Sequence, residues 1–180
     1  APSNPAPAAE SHGMISNVWQ NTVSDHYFTW SGAADTGGSG WKGYSVYWGT
    51  DPNGEPGISY EQSTPSFDPG AFTGVYYLRV RTFDNAGNMS SPVTLFTAKY
   101  DGAAPSNPSA AVESHGMISN VWQNTVSDPY FTWSGALDTG GAGVKGYSVY
   151  WGTDVSGEPG TVFEQSDALY DPGTFPTTYY

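Results

Sequence analysis

Apolar and polar residues alternate with a period of two in several short runs of this chain, and clusters of Gly, Pro, Asn and Asp separate the runs. No run shows the i, i+3, i+4, i+7 apolar spacing of an amphipathic helix, so the pattern predicts strands throughout. In the first part of the chain they fall at 14–19, 27–30, 42–48, 58–62, 76–83 and 93–98. Side chains alternate across a strand, so Phe28 and Trp30 face inward and Thr29 outward, while Tyr44, Val46 and Trp48 share a face. The clearest run is 76–83: Tyr76, Leu78, Val80 and Thr82 line one face, and Tyr77, Arg79, Arg81 and Phe83 the other. Loops rich in Gly, Asp and Pro lie at 35–40, 51–57, 67–70 and 84–88. These runs divided by turn clusters, close to the roughly seven strands of a sandwich, predict an all-β chain built of β-sandwiches.

The pattern is then written twice. Residues 2–77 return with few changes at 105–180, and the stretch 11–25, SHGMISNVWQNTVSD, returns letter for letter at 114–128. The period of 103 residues is the size of one folding domain and too long for a solenoid unit. Two domains are expected: repeat 1 over 1–103, and repeat 2 over 104–180, lacking the last two strands. An open edge and half a core in water is an arrangement natural proteins avoid, so the expectation is a window on a longer array. Residues 99–108, rich in Pro and small residues, read as a semi-rigid linker. Arrays of domains serve reach, spacing or many weak contacts, whereas one active site gains little from duplication.

Composition narrows the partners. Seventeen acidic residues against five basic ones give a net charge of −12, which repels phosphate backbones and anionic headgroups. Nucleic acid is therefore not an expected partner, and no apolar stretch is long enough to insert in a membrane. Cys is absent, which removes disulfides, thiolate nucleophiles and Cys-ligated metals. Few charges beside many Tyr, Trp, Gly and Thr suit an extracellular or cell-surface β module.

Three segments carry a family resemblance: Trp30 on the second strand, the Gly-Tyr-x-Val-x-Trp of 43–48 after an Asp/Gly loop, and 76–88 with its Asp84-Asn-Ala-Gly-Asn88 turn. Together they resemble the fibronectin type III and immunoglobulin-like tandem repeats of bacterial surface and secreted proteins. The resemblance implies core roles for Trp30 and Trp133, and tyrosine-corner roles for Tyr76 and Tyr179. It also implies a non-catalytic stalk, spacer, adhesive arm or filament part.

Candidate chemistry is sparse. His12 and His115 correspond between the copies, while His26 is replaced by Pro129. None lies in a Ser-His-Asp ordering, an HExxH or a nucleophile elbow. Glu55 with Glu61 and Glu158 with Glu164 are carboxylate pairs in loops, without the facing cleft that glycoside hydrolysis needs. No cofactor is called for. Calcium is the one candidate ion, with oxygen ligands from Asp35, Asp84, Asp101 and Asp138, whose loops the resemblance implies lie at the pole of the incoming linker. Turn geometry alone also explains Asp and Gly there. Tyr47, Tyr77 and Phe83, read as outward-facing, are candidates for a glycan-stacking surface or for packing against neighbouring repeats or other copies in a fibre.

Two functions are expected from these readings. The main one is a structural segment of a long extracellular or cell-surface repeat protein, as stalk, adhesin arm or filament subunit. The alternative is a pair of carbohydrate-binding or spacer modules accessory to a secreted hydrolase. No enzymatic activity is expected within the chain.

Overall fold

The computed structural model of the chain describes residues 1–23 and 25–175. The chain divides into two compact units, Ala1–Ala103 with Gly140–Ala142, and Ala104–Thr139 with Gly143–Tyr180. Among the described residues all regular structure is strand, and no helix is long and apolar enough to cross a membrane.

The first unit has two sheets. One is small and antiparallel, in the order β1 (Ala9–Glu10), β3 (Phe28–Thr29), β5 (Ser66–Phe67). The other runs β2 (Trp19–Gln20), β7 (Val93–Tyr100), β6 (Gly74–Asp84), β4 (Trp41–Gly49), with β2 parallel to β7 and the rest antiparallel. Their inner faces enclose one core, the arrangement of a β-sandwich. The parity read from the sequence holds: Phe28, Leu78 and Val80 are 0% exposed, and Trp30 and Tyr44 are buried with them. Tyr44 stands opposite Thr82, Val46 opposite Val80 and Trp48 opposite Leu78, so the pairing of β4 with β6 brings both apolar faces to one side.

Aromatic rings fill the space between the sheets. Phe28 lies 4.9 Å from Phe96 and 5.5 Å from Trp48. Trp30 meets Tyr44 edge-on at 5.4 Å, a geometry that sets the positive ring edge against the negative ring face. Tyr76 stacks on Trp48 at 5.1 Å. Without disulfides, stability rests on this burial, at about 1.5–3 kcal/mol for each large apolar side chain.

Two strand assignments are corrected. Residues 14–19 are no strand: Asn17 takes φ 65°, a left-handed turn that Asn tolerates, and only Trp19–Gln20 pairs, against β7. Residues 58–62 contribute a single bridge, Gln62 to Tyr44, and the strand lies further on at β5, in a stretch read as loop. Part of the stretch read as linker belongs to the folded units. Lys99 and Tyr100 end β7, the Asp101 amide donates to the Gln20 carbonyl at 3.0 Å, and the Ser106 amide donates to the Leu137 carbonyl at 2.7 Å within the second unit.

The second unit repeats the small sheet, as β8 (Val112–Glu113), β9 (Phe131–Thr132) and β10 (Leu169–Tyr170) with β9 in the centre. Trp133 meets Tyr147 edge-on at 5.3 Å, as Trp30 meets Tyr44. The four-stranded sheet has no counterpart among the described residues of this unit. Residues 144–152 differ from β4 only by Val144 for Trp41, yet they form just one bridge, Tyr147 to Gln165.

Candidate functional site

The outer face of the β4–β6 pair carries two of the candidate aromatics, Tyr47 and Tyr77, with the loop carboxylate Glu55 beside them. Ser45 lies opposite Arg81, Tyr47 opposite Arg79 and Gly49 opposite Tyr77. The loop after β4 folds back over this face. Arg79 donates from Nη1 to the Gly54 carbonyl at 2.6 Å, and Arg81 donates from Nη2 to Glu55 Oε2 at 2.8 Å. The Asp51 amide donates to the Tyr47 hydroxyl at 3.2 Å. A Cβ on Gly54 would sit 2.0 Å from the Tyr47 ring, so the loop lies flat on that ring because residue 54 has no side chain. The second unit repeats the contact between the tyrosine and its turn: the Asp154 amide donates to the Tyr150 hydroxyl at 3.3 Å, and a Cβ on Gly157 would lie 2.0 Å from that ring.

This corrects the reading of Tyr47, Tyr77 and Phe83 as one outward platform. Tyr47 braces the 51–57 turn and offers that turn one of its ring faces. Phe83 is 5% exposed: its strand parity is outward, but its backbone bridges to Met89 and the following turn closes over that end of the sheet. Tyr77, opposite Gly49, is half-buried. Of the tyrosine-corner residues, Tyr76 packs on Trp48 and Phe72, and Tyr179 lies outside the described residues.

The acidic loops are built as turns. Asp35 accepts from the Gly37 and Gly40 amides and the Ser39 hydroxyl, each at 3.0 Å. Asp84 accepts from the amide and side-chain nitrogen of Asn88, both at 2.8 Å. Asp101 accepts from the Ala103 amide at 2.9 Å and Asp138 from the Gly143 amide at 2.6 Å. The Gly37 amide above all holds the Asp35 carboxyl below the ordinary carboxylate range, and the Asn88 side chain does the same for Asp84. Asn85 ties the first two loops together by donating to the Ser39 and Gly40 carbonyls. Among the described residues no three Asp, Glu or His side chains converge as a cation site requires. A cation at these loops would have to displace amides that already hold each carboxylate.

The two carboxylate pairs separate in the same way. Glu55 serves the arginines, whereas Glu61 accepts from the Val46 amide at 2.9 Å and caps the free edge of β4. Glu164 does the same for Val149, while Glu158 is exposed.

The residue that sequence reasoning missed is Glu10. Its side chain is 0% exposed, and its carboxylate accepts from the amides of His12 at 2.9 Å, Met14 at 2.8 Å and Tyr27 at 3.0 Å. Burial pushes the carboxyl pKa up, but the three amides and the nearby His12 ring outweigh it and bring it below its ordinary value. Glu113 repeats the motif with the amides of His115, Met117 and Tyr130 at 2.8, 2.6 and 3.0 Å. The His12 ring bonds through Nδ1 to the Asp25 carbonyl, as His115 bonds to Asp128, so each histidine braces the same turn. An open hollow of about 230 Å³ lies beside it, lined by His12, Thr22, Val23 and Asp25. A Glu two residues before His, Ala-x-Glu-Ser-His-Gly-Met in the first copy and Ala-Val-Glu-Ser-His-Gly-Met in the second, was the available signal.

No family model matches the chain. Over 145 residues, 78% of the chain, it is 32% identical to Exoglucanase B of Cellulomonas fimi. The match covers 12% of that protein, so the chain spans a small part of the length of the curated relative it matches.

Proposed function

We propose that the chain is a stretch of tandem β-sandwich modules, of the fibronectin type III or immunoglobulin-like kind, accessory to an extracellular glucan-degrading enzyme. The observation that carries this is the similarity of most of the chain to a small portion of an exoglucanase. The all-β fold and the 103-residue repeat support it, because repeated modules suit spacing better than catalysis. Glucan chains are too large to enter a cell, which places such an enzyme and its modules outside it. Between the two expected functions, the accessory module is favoured over the adhesin arm or filament.

Within that reading, spacing fits better than glycan binding. A stacking platform needs rings open to solvent, and two of the three rings read as a platform from the sequence are not: Phe83 is buried and Tyr47 lies under its own loop. The modules act by distance, holding neighbouring domains apart along a polymer surface. The test is retention of the chain on insoluble cellulose, together with hydrolysis of soluble and insoluble glucan by a catalytic domain fused to it or freed of it. The expected result is no saturable retention of the chain, and a loss on deletion confined to insoluble substrate. Saturable retention abolished by Tyr77→Ala would establish glycan binding instead. Equal hydrolysis with and without the chain would remove the spacer role.

A further inference from the structure

Among the described residues of the first unit, His26 is a buried side chain with two unpartnered nitrogens. It enters just before β3 and is 0% exposed. Its ring lies 4.5 Å from Phe72, edge-on to Tyr100 at 5.7 Å, and nearly parallel to Phe28 at 6.5 Å. Both ring nitrogens are buried without a hydrogen-bond partner. A neutral imidazole normally donates from one nitrogen and accepts at the other, so an enclosed ring with neither bond is uncommon. At the matching position the second copy has Pro129, also fully buried, which fills space and cannot titrate.

The surroundings decide what protonation does. Phe28 of β3 and Phe72 bring no charge, and β7 brings the Tyr100 ring. Glu10 of β1 and Asp25 beside His26 favour an imidazolium, while His12 opposes it. The Glu10 carboxylate is already committed to three amides. Burial among the rings is the largest influence and holds the imidazole below its ordinary pKa.

We propose that His26 is an acid-sensitive latch, closing the aromatic cluster of the first unit while neutral and releasing residues 25–28 from the core when it takes up a proton, a response absent from the second unit. The sign follows from linkage. In the unfolded chain the ring titrates at about pH 6.5, and in the folded unit it titrates lower, so below about pH 6.5 the unfolded form binds more protons. Stability is complete above about pH 6.5 and is lost as the pH falls towards the folded-state value.

Two measurements on the whole chain test it. The first follows the imidazole signals of the three histidines and the amides of the first unit by NMR, from about pH 8 to pH 4.5, a range that brackets histidine titration. The expected result is a His26 ring that stays neutral until the amides of residues 25–28 lose their folded shifts. Protonation of His26 at about pH 6.5 with those amides unchanged overturns the proposal. The second compares thermal unfolding of the first unit in the parent with His26→Pro and His26→Phe. The parent midpoint is expected to fall by about 4–8 °C per pH unit within the window, and that of the variants by less than half as much. A parent midpoint as flat as the variants' overturns it, and if neither variant folds the ring titration alone decides.

Discussion

At the scale of single residues, buried polar groups carry the specificity of the loops. Glu10 replaces missing backbone partners: the amides of His12, Met14 and Tyr27 belong to no ladder and converge on one carboxylate. Removing that acceptor takes the charged partner from three amides, one of them part-buried, and bonds to a charged group are the stronger kind. Glu10→Ala is expected to cost the first unit about 2 kcal/mol or more in urea unfolding, and Glu10→Gln less, since one acceptor oxygen remains. A cost within error for Glu10→Ala would show that solvent satisfies these amides. The repeated Glu-Ser-His marked the position, but not its burial or its three amides, because a Glu beside Ser and His looks like a solvated loop residue until the fold closes over it.

At the scale of elements, β4 and its repeat are a paired experiment written into one chain. Residues 41–49 and 144–152 share their sequence except at the first position, but only the first set is a strand, because β6 lies beside it. Alternation therefore predicts which side chains face the core, while ladder formation needs a partner distant in sequence. The mutual packing of Trp133 on Tyr147 survives without that ladder, though both are less buried than Trp30 and Tyr44. The free edge of β4 is closed by Glu61 and by Gln62, a form of protection against pairing with other chains. Gly43 makes that closure fit: a Cβ there would lie 2.3 Å from the Gln62 carbonyl oxygen and 2.5 Å from the Tyr60 ring, with φ at +156°. Gly43→Ala should destabilise the first unit by about 1–3 kcal/mol and weaken the Tyr44–Gln62 bridge, seen as faster exchange of the Gln62 amide. Gly146→Ala should act likewise in the second unit, where the added atom would lie 2.2 Å from the Gln165 carbonyl. Unchanged exchange in both variants would show that the bridge yields without cost.

At the scale of the whole molecule, acid acts in two stages. Glu10, Glu113, Asp35 and Asp84 all titrate below their ordinary values in the fold. The unfolded chain therefore binds more protons as the pH falls, and the stability these groups contribute, present above about pH 4.5, is lost below it. That loss should affect both units, through Glu10 in one and Glu113 in the other. Circular dichroism against pH is expected to show it after any change due to His26, and a second unit unaffected down to about pH 3 would contradict it. The excess of negative charge works the other way, since protonation relieves repulsion among the acidic residues at the surface.

By itself the sequence determined the strand class, the duplication and the inward set of Phe28, Trp30, Tyr44, Leu78 and Val80. These follow from local alternation and from self-similarity, which need no knowledge of partners. Tertiary structure decided the rest: that Asn17 breaks the first predicted strand, that Phe83 is covered despite its outward parity, that Tyr47 lies beneath Gly54, and that Glu10 and His26 are buried. Each of these depends on how the backbone turns and which loop comes to lie on which face, which alternation does not encode: Gly54 folds back on Tyr47 and Met89 on Phe83 from nearby, while Phe72 and Tyr100 close over His26 from far along the chain.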